Sequence, residues 1–205
     1  MTGHDPEPEP VDAEPVEAGS LAAWLIATRA AIRGAQDADV PCGSCTACCR
    51  SSQFVLVTPA DTGARAHIPS ELLFPAPLMP KGHRVLGYDE HGRCPMLTDA
   101  GCSIYEYRPR TCRTYDCRIF AATGVELDDP GQADIAERAK TWRFEVASDA
   151  DTAAYDALRA AVAQLRDHPG DAEHPAPTTP TQLAVAAVEI SGRVDAPRVY
   201  RGEGG

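Results

Sequence analysis

The run Cys42-Gly43-Ser44-Cys45-Thr46-Ala47-Cys48-Cys49 places four thiols within eight residues. Two residues between thiols let a chain curl until both sulfurs face one point, the spacing used by zinc knuckles and iron–sulfur loops. Gly43 and the small side chains of Ser44, Thr46 and Ala47 suit a loop that tight. Four more cysteines follow at Cys94, Cys102, Cys112 and Cys117, so all eight fall between positions 42 and 117.

Three chemistries use cysteine in this way. Eight is an even number and admits a disulfide framework. However, the N-terminus lacks the basic start and apolar stretch of a secretory signal, so a cytoplasmic location with reduced thiols is expected. The adjacent Cys48 and Cys49 could not bridge each other without strain. Cys42-Gly43-Ser44-Cys45 also has the spacing of a thiol redox pair, although no strand precedes it and six other cysteines would be left without a role. Metal ligation accounts for all eight. The sulfurs are then expected to converge, with Cys48 and Cys49 pointing apart toward different sites. Two zinc ions with four thiolates each would use the whole set, and one four-iron cluster would use half of it. Zinc and iron in an iron–sulfur cluster both remain open.

The rest of the chain frames this cluster. It has 205 residues, 43% hydrophobic and only 6% aromatic, with 18 prolines, so its core is modest and benefits from a staple. No apolar run reaches the ~20 residues that cross a bilayer. The net charge is −11, but residues 41–120 carry nine Lys/Arg against seven Asp/Glu. An excess of two is too small to argue for nucleic-acid binding, and it suits arginines that offset thiolate charge. Arg50, Arg93, Arg108, Arg110, Arg113 and Arg118 all sit within a few residues of a cysteine. No Ser-His-Asp arrangement, carboxylate pair or phosphate loop stands out. His91, three residues before Cys94, is the histidine best placed to replace a thiolate.

Residues 1–19, with six acids, four prolines and no Lys or Arg, read as a disordered tail. Ser20 caps a helix reaching about Gly34, with Leu21, Trp24, Leu25, Thr28 and Ile32 on one face. Phe54–Val57 reads as a strand, and Thr58 as the cap of a short helix with Pro59 in its first turn. Residues 75–80 read as irregular, and Asp89-Glu90-His91-Gly92 as a hairpin turn between residues 85–88 and 93–97. Ile135, Ala139, Trp142 and Val146 predict one helix, and Tyr155, Leu158, Val162 and Leu165 a second. A capping box at Thr179-Pro180-Thr181-Gln182 opens a last helix ending near Gly192.

Cys42 to Cys49, Gly92-Arg93-Cys94-Pro95-Met96-Leu97, and Cys102-Ser103-Ile104-Tyr105-Glu106-Tyr107-Arg108-Pro109-Arg110-Thr111-Cys112-Arg113 with Cys117 together resemble the YkgJ-type zinc- or iron-chelating cysteine-cluster family. The resemblance covers about Pro41 to Phe120. It implies that Cys42, Cys45, Cys48, Cys49, Cys94, Cys102, Cys112 and Cys117 are metal ligands. The same module resembles part of the flagellin lysine N-methylases, which implies as an alternative an iron–sulfur enzyme using S-adenosylmethionine, although no loop for that cofactor is found.

The sequence therefore predicts an α+β protein. A small irregular, metal-stabilised cysteine-cluster domain with a leading helix occupies residues 20–120, and a helical extension occupies 121–205. The predicted partner is a metal ion, and no feature identifies a protein partner.

Overall fold

The computed structural model describes residues 14–168, Gly170 and 175–194. The chain enters as strand β1 (Val16–Ser20), so the stretch read as tail already holds structure from Val16. Ser20 then caps helix α1 (Leu21–Ile32), its Oγ accepting from the Ala23 N–H at 3.3 Å. Leu21, Trp24, Leu25, Thr28 and Ala31 are buried at helical spacing, while Ile32 is half-buried. A Schellman turn closes the helix. The N–H groups of Gly34 and Ala35 donate to the carbonyls of Ala31 and Ala30, with Gly34 at φ +82°. A Cβ at Gly34 would also stand 2.7 Å from the Arg110 guanidinium.

The middle of the chain is made of short pieces. They are α2 (Ala47–Arg50), β2 (Val55–Val57), α3 (Thr62–His67), β3 (Leu73–Pro75), β4 (Arg84–Leu86), β5 (Leu97–Thr98), β6 (Gly101–Cys102) and α4 (Arg110–Thr114). The antiparallel sheet runs β2-β4-β3, and β5 pairs with β6. The Asp89–Gly92 turn forms as expected, with Asp89 Oδ1 accepting from the N–H groups of His91 and Arg93. Its flanks do not form a hairpin. β4 is taken on both edges by β2 and β3, which leaves 93–97 to turn back on residues 101–102. The strand β3 arises within the proline-rich stretch because Leu73 and Phe74 find Leu86 and Val85 opposite them. Helix α3 starts at Thr62, later than Thr58 suggested. The Asp61 carboxylate takes the Thr58 N–H and hydroxyl at 2.8 Å each, and so holds 58–61 as a turn. A small core of Val57, Ala64, Ile68, Leu86, Met96 and Ile104 underlies this region.

Four helices and one strand follow: α5 (Arg118–Thr123), α6 (Ala133–Thr141), β7 (Trp142–Glu145), α7 (Asp149–Asp167) and α8 (Pro180–Val194). The predicted helix through Val146 stops at Thr141. Trp142–Glu145 leaves it as a strand that pairs in parallel with β1, Val16 opposite Trp142. The aromatic Trp142 and Phe144 in that strand suit the change. The larger core joins α1 to α5–α8 through Leu21, Trp24, Leu25, Phe120, Ile135, Leu158, Val162 and Val188. Among the described residues, no helix is long and apolar enough to cross a membrane.

One carboxylate links two helix starts in this core. Asp151 Oδ1 accepts from Ser20 Oγ at 2.7 Å and from the Ala22 N–H at 2.9 Å, while Oδ2 accepts from Ser148 Oγ at 2.6 Å and completes a capping box. The Ala22 N–H first, then the Ser148 and Ser20 hydroxyls, hold its carboxyl well below the usual carboxylate range. A carboxyl depressed by folding stabilises the fold above its unfolded pKa of ~3.9 and loses that contribution as pH falls. Asp151→Asn is therefore expected to lower the melting temperature by a few degrees at neutral pH. Between about pH 5 and pH 3 the wild type should lose melting temperature faster than the variant. Equal slopes would show that the carboxylate charge contributes nothing.

Candidate metal centre

The first cysteine loop is shaped by its own backbone. Gly43 takes φ +55°, and the Cys45 N–H donates to the Cys42 carbonyl at 2.9 Å, closing the turn between those two thiols. The Cys49 N–H donates to the Thr46 carbonyl at 2.9 Å, which sets Cys48 and Cys49 on the single turn of α2. The second group is brought in by main chain. The Cys94 N–H donates to the Cys49 carbonyl at 2.7 Å, and Cys102 lies in β6 opposite Leu97. Pro109, fully buried, turns the chain into α4, which carries Cys112. Two bonds lock α4 to the sheet region: Thr111 Oγ1 to the Leu56 carbonyl at 2.8 Å and the Arg110 N–H to Asp61 at 2.7 Å. Burial alone would raise the Asp61 carboxyl, but the bonds from Arg110 and Thr58 together outweigh it and lower it. Cys117 starts α5 and is the one buried cysteine.

All eight thiols are free. Burial raises the Cys112 thiol to about 12, and the thiols of Cys48, Cys94 and Cys102 add to the rise. Cys94 is likewise raised by burial, and then by Cys102 and Cys48. Burial raises Cys117 to about 11, with Asp116, Cys42 and Cys45 contributing and the Trp142 indole N–H opposing. Cys42 is raised by desolvation and then by Cys45 and Cys48, with the Arg138 charge opposing. Cys94 and Cys112 thus lie in the fields of Cys48 and Cys102, Cys117 in those of Cys42 and Cys45, Cys42 also in that of Cys48, and Cys48 in that of Cys49.

Two expectations need correction. Cys48 and Cys49 do not point apart. The neighbouring Cys49 thiol is the largest influence on Cys48 and raises it. Nor do the eight sulfurs meet at a point. Among the described residues, no three His, Cys, Asp or Glu side chains stand close enough together to hold one ion. Neutral thiols attract one another weakly, and the attraction that draws thiolates to coordination distance comes from the ion itself. The donor set nevertheless fits a thiophilic metal, because it is thiol throughout. His91 is 70% exposed, with its ring beside Glu90. His4 and His174 lie outside the described residues.

The arginines divide by role. Arg108 lies over the Tyr105 ring at 3.5 Å, and its charge opposes the rise at Cys48 and Cys112. Arg50 bonds Thr46, and Arg113 faces Asp37 at 3.3 Å. Arg118 is buried, its Nη2 2.8 Å from Asp116 Oδ2 and 2.6 Å from the Asp39 carbonyl. Asp116 also accepts from Trp24 Nε1 at 2.8 Å. Sequence reading missed Asp116, Arg138 and Trp142. The first had a signal in Asp116-Cys117-Arg118, opposite charges flanking a cysteine. The other two come from α6 and β7, where nothing local points to the cluster.

Residues 41–139 match the CxxCxxCC family, described as a zinc- or iron-chelating domain. No curated protein and no solved structure matches the chain.

A buried pair of this kind costs most when broken on one side. Asp116→Ala, which strands the Arg118 guanidinium, is expected to lower the unfolding free energy by about 3–5 kcal/mol in urea melts. The double change Asp116→Leu with Arg118→Met should recover most of that loss. A double variant no more stable than the single one would show that the pair is not an isolated unit.

Proposed function

We propose, from the premise that residues 41–139 of this chain belong to the CxxCxxCC family of zinc- or iron-chelating domains, that its eight cysteines bind metal in two adjacent thiolate sites. One site takes Cys48, Cys94, Cys102 and Cys112. The other takes Cys42, Cys45 and Cys117, with Cys49 as the remaining thiol. The observation that carries this reading is the all-thiol donor set of eight free cysteines, whose two loops are tied together by the Cys94 N–H donating to the Cys49 carbonyl at 2.7 Å.

Two four-thiolate sites suit two tetrahedral zinc ions, and either would equally suit a four-iron cluster. As structural zinc, the metal supplies folding free energy on the order of 10 kcal/mol per site. The region most in need of it is 41–110, where the buried core is six residues and the strands are two or three residues long. Around the ligands the loops are tied by the Cys94–Cys49 main-chain bond, Asp61 on α4, and the Asp116–Arg118 pair beside Cys117, and the metal adds to these ties.

Anaerobic purification followed by metal analysis and an absorption spectrum tests the reading. A colourless protein with about two zinc per chain, or a brown one carrying iron, supports it. A reduced protein that holds neither and binds none overturns it. A strong chelator under reducing conditions should open residues 41–110 to protease while α7 and α8 keep their helicity. Cys45→Ser should act like a partial chelation, and His91→Ala should change little. An apo protein resistant throughout 41–110 would show that the fold stands without metal.

A further inference from the structure

The strongest unexplained contact lies just beyond the matched domain. Trp142 is 2% exposed, and its indole N–H donates to Cys117 Sγ at 3.2 Å. An indole has one donor and no acceptor, so a buried tryptophan needs a partner for it. A thiol is a weak acceptor and a thiolate a strong one, so this bond strengthens once the sulfur carries charge. Two guanidiniums lie over the same ring, Arg138 at 4.4 Å and Arg118 at 5.9 Å. They are not equivalent. Arg118 is neutralised by Asp116, whereas Arg138 makes no ion pair among the described residues and its Nε is buried without a hydrogen-bond acceptor. The positive charge left over at this end of the module is therefore that of Arg138.

We infer that Trp142 and Arg138 are positioning residues for the metal site containing Cys42, Cys45 and Cys117: they orient the Cys117 sulfur and offset its charge, making this the more tightly held of the two sites. The inference rests on the chelation reading above. The cation that acts on the neighbouring group, Arg108, also lies over the face of Tyr105 and donates to its carbonyl, so its charge is shared. The helical part of the chain would thus act on the cysteine module through one N–H and one guanidinium.

The test is a titration of the reduced, metal-free full chain with cobalt(II), following the sulfur-to-cobalt charge-transfer absorption, then displacement by zinc. Cys117→Ser and Cys112→Ser mark which equivalent belongs to which site. Trp142→Phe and Arg138→Gln are expected to weaken the Cys117 equivalent about 10–100-fold and to shift its charge-transfer band, leaving the Cys112 equivalent unchanged. Folded variants that bind both equivalents as the wild type does, or that weaken the Cys112 equivalent instead, overturn the inference. If Trp142→Phe does not fold, Arg138→Gln decides alone, because that side chain is only half-buried. A wild-type chain that takes up no cobalt overturns the chelation reading itself, which separates that failure from this one.

Discussion

The buried ion pair of Asp116 and Arg118 holds the cysteine module against the helices, and most of the architecture is arranged around it. Asp116 receives Trp24 from α1 and Arg118 from α5, and Arg118 in turn reaches the Asp39 carbonyl just ahead of Cys42. The first helix, the approach to the first thiol and the segment carrying the last thiol are fixed by one carboxylate. Both partners are more than nine-tenths buried, so neither can leave the other without an uncompensated charge in the core. Such a joint resists partial opening. It sets Cys117 in a position that the loops alone, with their short strands, would not define.

The two parts of the chain follow different physical rules. Around α1 and α5–α8, long side chains at helical spacing bury a continuous core, and propensity and capping agree with packing. Between Pro41 and Arg110 the chain is held by turns, side-chain caps and isolated backbone bonds, with few large apolar groups beneath them. Charge follows the same division, since the balance of basic residues lies where thiolates would gather and the acidic excess lies elsewhere.

That division explains what the sequence made legible. α1, α7 and α8 were readable because Leu21, Trp24 and Leu25, or Leu158 and Val162, repeat with the helical period, and because Ser20 and Thr179 mark the starts of the first and last. The cysteines were readable from spacing. The partner of β4 was not, because strands of three residues carry no alternation long enough to fix a register, and β2 and β3 won over the nearer segment. Trp142 fitted a helical pattern as well as a strand, and only the presence of Val16 opposite it decides between them. Arg138 and Trp142 near the thiols are tertiary facts, invisible in any window of sequence.

The parallel pairing of β1 with β7 gives the chain a temporal order. Val16 waits for Trp142, so the loop that this pairing closes spans more than half the chain and contains every cysteine. During synthesis from the N-terminus, all eight thiols emerge before the first strand can find its partner. Closing a long loop costs entropy that a cross-link within it reduces. An ion that joined Cys42 to Cys117 would bring the ends of that loop within reach of each other, and strand pairing would then complete an enclosure already drawn tight.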